Sequence, residues 1–480
     1  MKRLCLVMLG ILSPALLIAS IVLLAAHVMQ NLVDDQVKQV AVLRNSSETL
    51  EIWENPPSLL LQIYFFNLTN PLEVLQGEIP IVKEIGPYTY REWKCREDVH
   101  ILENGSKVSS FQPTTYFFER EMSVGDPGVD HIRTVNMPAL VAMNLARRTP
   151  FHLPAELMLI IYQEDMFPMH TVQELLWGYT DKFLQAVHKF LPSVDPVFGY
   201  LTKTNGTSDG EYIMLSGENN YLDFTKIIEW QGKRKLNWWT SPSCNMINGT
   251  DGGTFHPLIS KDETLYIFSS DFCRSIYLNF EKELTVLGVP AYRFIPPLTV
   301  FANVSVNPDN AGFCVPAGNC QGSGILNVTA CKNGAPIFLS LPHFYHSEAM
   351  YINAVDGMHP NKEKHEPFLD VNPFTGALLQ AAKQIQVNAY VETLPEFFQT
   401  GNIRRMVYPV MYMTERFMLD KGSAEKLKTA LFESNMAKAV PYVILALGII
   451  SGAVFLAVLY WPRGKKEEGS ADEQAPLIRT

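Results

Sequence analysis

Charged side chains are in short supply in this 480-residue sequence, with Asp, Glu, Lys and Arg making up 18% where a soluble globular chain carries about 25%. The shortage is local. Lys2 and Arg3 are the only charges before Asp34, and none falls between Ala439 and Pro462. Setting these two stretches aside restores an ordinary composition, which excludes one uniformly soluble domain. Cysteine is scarce too, seven in all, so bridges can staple loops but cannot replace a hydrophobic core. Between the stretches basic residues are outnumbered: residues 34–438 hold 33 Lys and Arg against 45 Asp and Glu, a net of −12. A nucleic-acid partner calls for the opposite sign. Catalytic signatures are missing as well, with no GxSxG, no GxxxxGK(S/T) and no HExxH. The nearest approach, His365-Glu366-Pro367-Phe368-Leu369, lacks the second histidine and carries a proline hostile to the helix. Paired carboxylates such as Glu164-Asp165 stand at adjacent helical positions and diverge. No enzyme is expected.

What is present first defines a membrane topology. Leu4–Met29 is uncharged and almost continuously apolar over 26 residues, and about 20 suffice to cross a bilayer. A cleaved signal peptide has an apolar region of only about 7–15 residues, so a retained span is expected at 4–29. The second span is Ala439–Trp461, followed by Arg463, Lys465 and Lys466. Basic residues flank the outer end of each segment, so both termini, 1–3 and 462–480, are expected in the cytosol and 30–438 on the other side. Seven Asn-x-Ser/Thr sequons, at Asn45, Asn67, Asn104, Asn205, Asn248, Asn303 and Asn327, all lie between the spans, as expected of a glycosylated ectodomain. Cys273, Cys314, Cys320 and Cys331 fall close together there, as loop disulfides in an oxidising compartment do. Gly448 and Gly452 form a GxxxG in the second span. That spacing permits close helix contact, against the first span or against a second copy in a homodimer.

The ectodomain shows no repeat, low-complexity run or Pro/Ser-rich linker, which favours one large unit. Strand patterns occur at Leu59–Leu68, Thr114–Glu121, Glu263–Phe268, Ser275–Phe280, Gly288–Phe294 and Arg405–Phe417, and Asn104-Gly105 marks a hairpin within Val99–Phe111. Residues 137–191 read as helices set in this β-rich body. Met137–Arg148 and Leu153–Met166 are two of them. Thr171-x-x-Glu174 is a capping box followed by Val172, Leu175, Leu176, Tyr179, Phe183, Val187 and Phe190 at helical spacing. Leu153–Met166 is apolar around most of its circumference, which fits either packing within the cluster or an exposed face for a partner at Leu157, Ile161 and Tyr162. Ten of the eleven histidines lie in residues 34–438, so this region's field changes strongly between neutral and mildly acidic pH. His343-Phe-Tyr-His346, His359 and His365 show no converging spacing, and no metal is expected. In the tail, Glu473-Gln-Ala-Pro-Leu477-Ile478 fits the acidic dileucine pattern (D/E)xxxL(L/I) read by clathrin adaptors.

These residues resemble the class B scavenger receptor family. The likeness is carried by Asn70-Pro71 through Glu84-Ile-Gly-Pro87-Tyr88-Thr-Tyr90-Arg91-Glu92 and by Asn310-Ala-Gly-Phe-Cys314-Val-Pro-Ala-Gly-Asn-Cys320. Cys331-Lys-Asn-Gly-Ala-Pro336, Pro342-His343-Phe-Tyr and Gly357-Met-His359-Pro360 complete it. The likeness implies an α+β fold: an antiparallel β-barrel-like core, an apical helical bundle and an internal apolar tunnel leading towards the membrane. It also implies disulfides pairing Cys273 with Cys331 and Cys314 with Cys320. The tail is most similar to a lysosomal branch of the family. That branch implies a receptor that passes through the ER and Golgi to late endosomal and lysosomal membranes. It binds β-glucocerebrosidase near neutral pH through the apical helices and releases it in acid, with His152 as pH sensor. His170 is a second sensor candidate. The family also implies a second function, carrying cholesterol or phospholipid through the tunnel, with lipid and no other cofactor bound. The stretch between His152 and His170 departs from the family pattern in being shorter and less basic.

Overall fold

The computed structural model describes residues 2–147 and 149–460. In chain order, helices α1 (Lys2–Ala25) and α2 (Val28–Val40) part at His27, whose φ of 49° is not helical. Helices α3 (Glu48–Glu54) and α4 (Pro71–Leu75) flank strand β1 (Leu59–Leu68). There follow β2 (Val82–Trp93), β3 (Glu97–Leu102), β4 (Lys107–Phe111) and β5 (Thr115–Phe118). The helical interval comprises β6 (His131–Arg133), α5 (Met137–Ala146), α6 (His152–Ile161), β7 (Met169–Thr171), α7 (Val172–Trp177), β8 (Tyr179–Thr180), α8 (Lys182–His188) and β9 (Val197–Phe198). Beyond it come β10 (Glu211–Leu215), β11 (Ile227–Trp230), β12 (Leu265–Ser269), β13 (Arg274–Val286), β14 (Val289–Ile295), β15 (Leu326–Asn327) and β16 (Ile337–Ser340). The chain closes with α9 (Ala349–Ile352), α10 (Lys362–His365), β17 (Phe368–Val371), β18 (Leu378–Val391), β19 (Met406–Met418) and α11 (Lys421–Tyr460).

Two compact units result, residues 37–427 and the chain ends within 1–36 and 428–480. In the larger unit an eleven-stranded sheet runs β12-β13-β14-β17-β18-β19-β1-β2-β5, with β16 on β18 and β15 on β16, and every ladder of the path is antiparallel. Its order ends at β12 and β5, so hydrogen bonding along it makes a large sheet with two edges. β1 is its hinge between N- and C-terminal halves: Leu61 pairs with Tyr90 and Glu415, and Ile63 with Tyr88 and Met413. Leu61, Ile63 and Phe65 alternate into the core, the period of a half-buried strand. The other face of β1 presents Gln62 and Tyr64, which pair with Thr414 and Tyr412 of β19. In the β3–β4 hairpin Asn104 and Gly105 both take positive φ, which their residue types tolerate.

The apolar runs at the two ends form helices long enough to span a bilayer. Their contact explains the glycines of α11. Ser13 Oγ donates to the Gly448 carbonyl at 3.0 Å. A Cβ added at Gly448 would lie 3.0 Å from Leu17 Cδ2, and one at Gly452 2.7 Å from Ser13 Oγ. The GxxxG thus packs on helix α1.

Candidate functional site

All three expected helices differ in extent from the sequence reading, and α5 ends at Ala146 rather than Arg148. The helix beginning at His152 stops at Ile161 rather than Met166. The helix expected from Val172 through Phe190 is broken: Gly178 adopts φ 113°, ψ 148°, and the chain makes strand β8 before Asp181 caps α8 by accepting from the Leu184 N–H at 2.7 Å. A Cβ at Gly178 would sit 2.8 Å from Val197 Cγ1. The apolar spacing persists across the break, which is why periodicity alone misses it; Gly178 followed by Asp181 was the available signal.

Asn136 organises the start of this region. Its Oδ1 accepts from the Ala139 N–H (3.0 Å), capping α5, while its Nδ2 donates to Glu164 Oε2 (2.8 Å) and the Asp165 carbonyl (3.0 Å). One side chain therefore ties the first turn of α5 to the segment leaving α6. Burial pushes the Glu164 carboxyl above its ordinary range, against the Asn136 hydrogen bond. Met137, Leu140 and Met143 bury α5 in the main core, and α7 follows with Leu175 and Leu176.

Helix α6 is the exception. Leu159 is its only fully buried residue. Leu157 is 57% exposed, Ile161 61% and Tyr162 36%, and Leu153 and Ile160 are exposed beside them. Leu153, Leu157, Ile160 and Ile161 stand at i, i+4, i+7 and i+8, one continuous stripe. Phe151, just before the helix, is 70% exposed. The three residues singled out from sequence thus lie on an outward apolar face, and Phe151, Leu153 and Ile160 extend it. Isolated surface leucines are ordinary, but a contiguous stripe points to a docking face.

Both sensor candidates flank this helix in sequence and differ in environment. His152 opens α6, half-buried, with its Nδ1–H donating to the Thr149 carbonyl at 2.8 Å. His170 lies in β7, half-buried, its ring stacked on Tyr179 at 4.0 Å and its Nδ1 3.6 Å from Glu174 Oε2. Burial holds the His170 imidazole below its ordinary range, with Glu174 pulling the other way. Glu174 is itself held below the carboxylate range, chiefly by the Thr171 N–H it accepts in the capping box.

The remaining sites are dispersed. Cys273 is bonded to Cys331 and Cys314 to Cys320, while Cys95 and Cys244 are free thiols. Among the sequons, Asn45, Asn104 and Asn205 are exposed and Asn67, Asn248 and Asn303 half-buried. Asn327 is 7% exposed, with its Nδ2 donating to the Val315 carbonyl at 3.2 Å. The sorting residues Glu473, Leu477 and Ile478 lie outside the described residues. Sequence spacing failed on one point: His343, His359 and His365, scattered in the chain, are brought together. Their rings stack, His343 on His365 at 4.6 Å and on His359 at 6.4 Å. Stacked rings aim their nitrogens sideways, and no metal-binding group of His, Cys, Asp or Glu is found among the described residues. A cavity of about 470 Å³ opens beside Phe224, Phe255, Leu265 and Tyr266, next to a His256–Glu263 pair at 2.6 Å.

Residues 11–459 match the CD36 family. The chain is 51% identical over its whole length to lysosome membrane protein 2 of Rattus norvegicus and 50% to that of Homo sapiens, covering all of each. Similarity to scavenger receptor class B member 1 of Sus scrofa is 32%, over 96% of this chain and 92% of that one. The chain, a membrane receptor and not an enzyme, belongs to the CD36 family.

Proposed function

We propose that this protein is a lysosomal membrane receptor that binds β-glucocerebrosidase in the secretory pathway through the α6 face and releases it in acid. The exposed stripe Leu153, Leu157, Ile160, Ile161 carries the reading, because a helix apolar on both sides has a face left for a partner. Full-length similarity to lysosome membrane protein 2 supports the destination. His152 and His170, which flank α6 in the chain, supply the pH dependence: each is uncharged when neutral and, protonated, adds a charge that an apolar contact must desolvate. Both termini are cytosolic, and the Glu473/Leu477/Ile478 signal engages clathrin adaptors. Leu157→Asp with Ile161→Asp in the full-length glycoprotein should abolish capture of purified β-glucocerebrosidase at pH 7. Undiminished capture by that variant would sink the docking face. Leu477→Ala with Ile478→Ala should raise the fraction at the cell surface; unchanged distribution would remove the adaptor step.

A second reading rests on the 470 Å³ cavity, within the about 300–1,000 Å³ of small-molecule sites. On this reading the protein moves cholesterol or phospholipid to the membrane through an apolar path in the larger unit. Bulky substitution at Leu265 should impair lipid transfer and spare hydrolase capture.

A further inference from the structure

Two buried imidazoles fasten the segment between β16 and β17 through nitrogens that carry no proton. The His359 N–H donates to His343 Nδ1 and the Asn361 N–H to His365 Nδ1, both at 3.0 Å. A ring nitrogen that accepts is unprotonated, so both rings are held as the neutral Nε2–H tautomer. On His343 that Nε2–H donates to Glu84 Oε2 at 2.6 Å. Both histidines are buried and their rings are stacked within 14° of parallel. Adding a proton to either Nδ1 turns the acceptor into a donor facing an amide N–H, so the bond is lost rather than weakened.

We propose that these two imidazole-to-amide bonds form an acid-sensitive latch on the fold of the segment from Gly357 to His365, which opens more often as pH falls from 7 to 5 while Gln384 of β18, donating to the Lys364 carbonyl at 2.7 Å, keeps its end on the sheet. The proposal stands apart from the docking reading, since it concerns the outer face of β1, β2 and β19.

The surroundings set the sign. Glu84 of β2 favours a proton on His365, and Lys364 of the segment opposes it. Glu366, His346 and His359, whose ring stacks on His343 at 6.4 Å, are further titratable neighbours on the segment, and Tyr64 and Tyr412 face the rings from β1 and β19 with hydroxyls kept neutral by burial. Burial, then the charge of His343, brings His365 down to about 4. A histidine charged less readily in the closed form than in the open one stabilises closure above about pH 6.5 and loses that contribution as pH falls towards 4. His343, Phe344 and His346 all hold positive φ, 53°, 58° and 64°. Non-glycine residues keep such backbones only where contacts over-determine them. Asp356 limits the opening, because its carbonyl accepts from the Val82 N–H and its N–H donates to the Pro80 carbonyl, both at 2.9 Å and neither dependent on a side chain.

Hydrogen exchange of the full-length glycoprotein in detergent micelles tests this, with β18 and β19 amides as reference. After correction for intrinsic exchange, protection of the 357–365 amides should fall about 20-fold from pH 7 to pH 5. In His365→Asn, whose Oδ1 accepts the amide without titrating, most of that fall should disappear. Protection equal at both values, or an equal fall in the variant, overturns the latch. Should the variant not fold, the imidazole Cε1–H titration of the wild-type protein decides. His365 still neutral at pH 5 supports the latch, and ordinary titration near pH 6.5 overturns it.

Discussion

The two sides of α6 and the two histidines His365 and His170 present the same contrast, between groups the fold uses up and groups it leaves available. Leu159 and Leu157 stand two positions apart on one helix, yet the first is fully buried and the second is mostly in solvent. His365 and His170 are both displaced towards acid by burial, but His365 gives its ring nitrogen to a backbone amide while His170 keeps a side-chain carboxylate and a stacked tyrosine as adjustable neighbours. Residue type therefore does not separate structure from function here. What separates them is whether every contact of the side chain is already made within the fold.

The sharpest way to break the contrast is to truncate both leucines. Leu159→Ala should cost about 2–5 kcal/mol and lower the thermal unfolding midpoint of the protein by several degrees. Leu157→Ala should stay within about 0.5 kcal/mol while weakening capture of β-glucocerebrosidase. Equal destabilisation would mean that α6 has no available side. Next comes Gly178→Ala, which forces a positive φ on a residue with a Cβ and a clash with Val197. A loss of about 1–3 kcal/mol is expected, visible as local exchange in α7 and α8. The smallest effect tests His170 alone. Glu174→Gln removes the charge that partly offsets burial. The midpoint of acid release, expected below about 6.5 in the wild type, should move further towards acid, by less than about one unit. A shift towards neutral pH would show that His170 is not the group titrating.

Much of this was legible from residue order. The spans announced themselves by missing charge, and β1 has the bounds its pattern gave, because a run buried on one face needs no distant information. The Thr171–Glu174 capping box was readable for the same reason, since both of its hydrogen bonds join residues three apart. The break at Gly178 was missed because apolar residues recur on both sides of it. The stripe on α6 was left open between core and surface, since an all-round apolar helix reads identically in both cases until its neighbours are placed. The histidine stack was out of reach: Glu84 and His343 are 259 residues apart and meet only once β2, β1 and β19 are in register.

The proposed function joins an apolar docking face on α6 to the protonation of His152 and His170. Its most direct test is the equilibrium affinity of the full-length protein for purified β-glucocerebrosidase at pH 7 and pH 5, for the wild type and for His152→Ala with His170→Ala. A contact that disfavours two charged imidazoles predicts binding about 10²-fold weaker at pH 5, with the difference largely removed in the double variant. Equal affinity at the two values, or an undiminished difference in the double variant, would contradict the account.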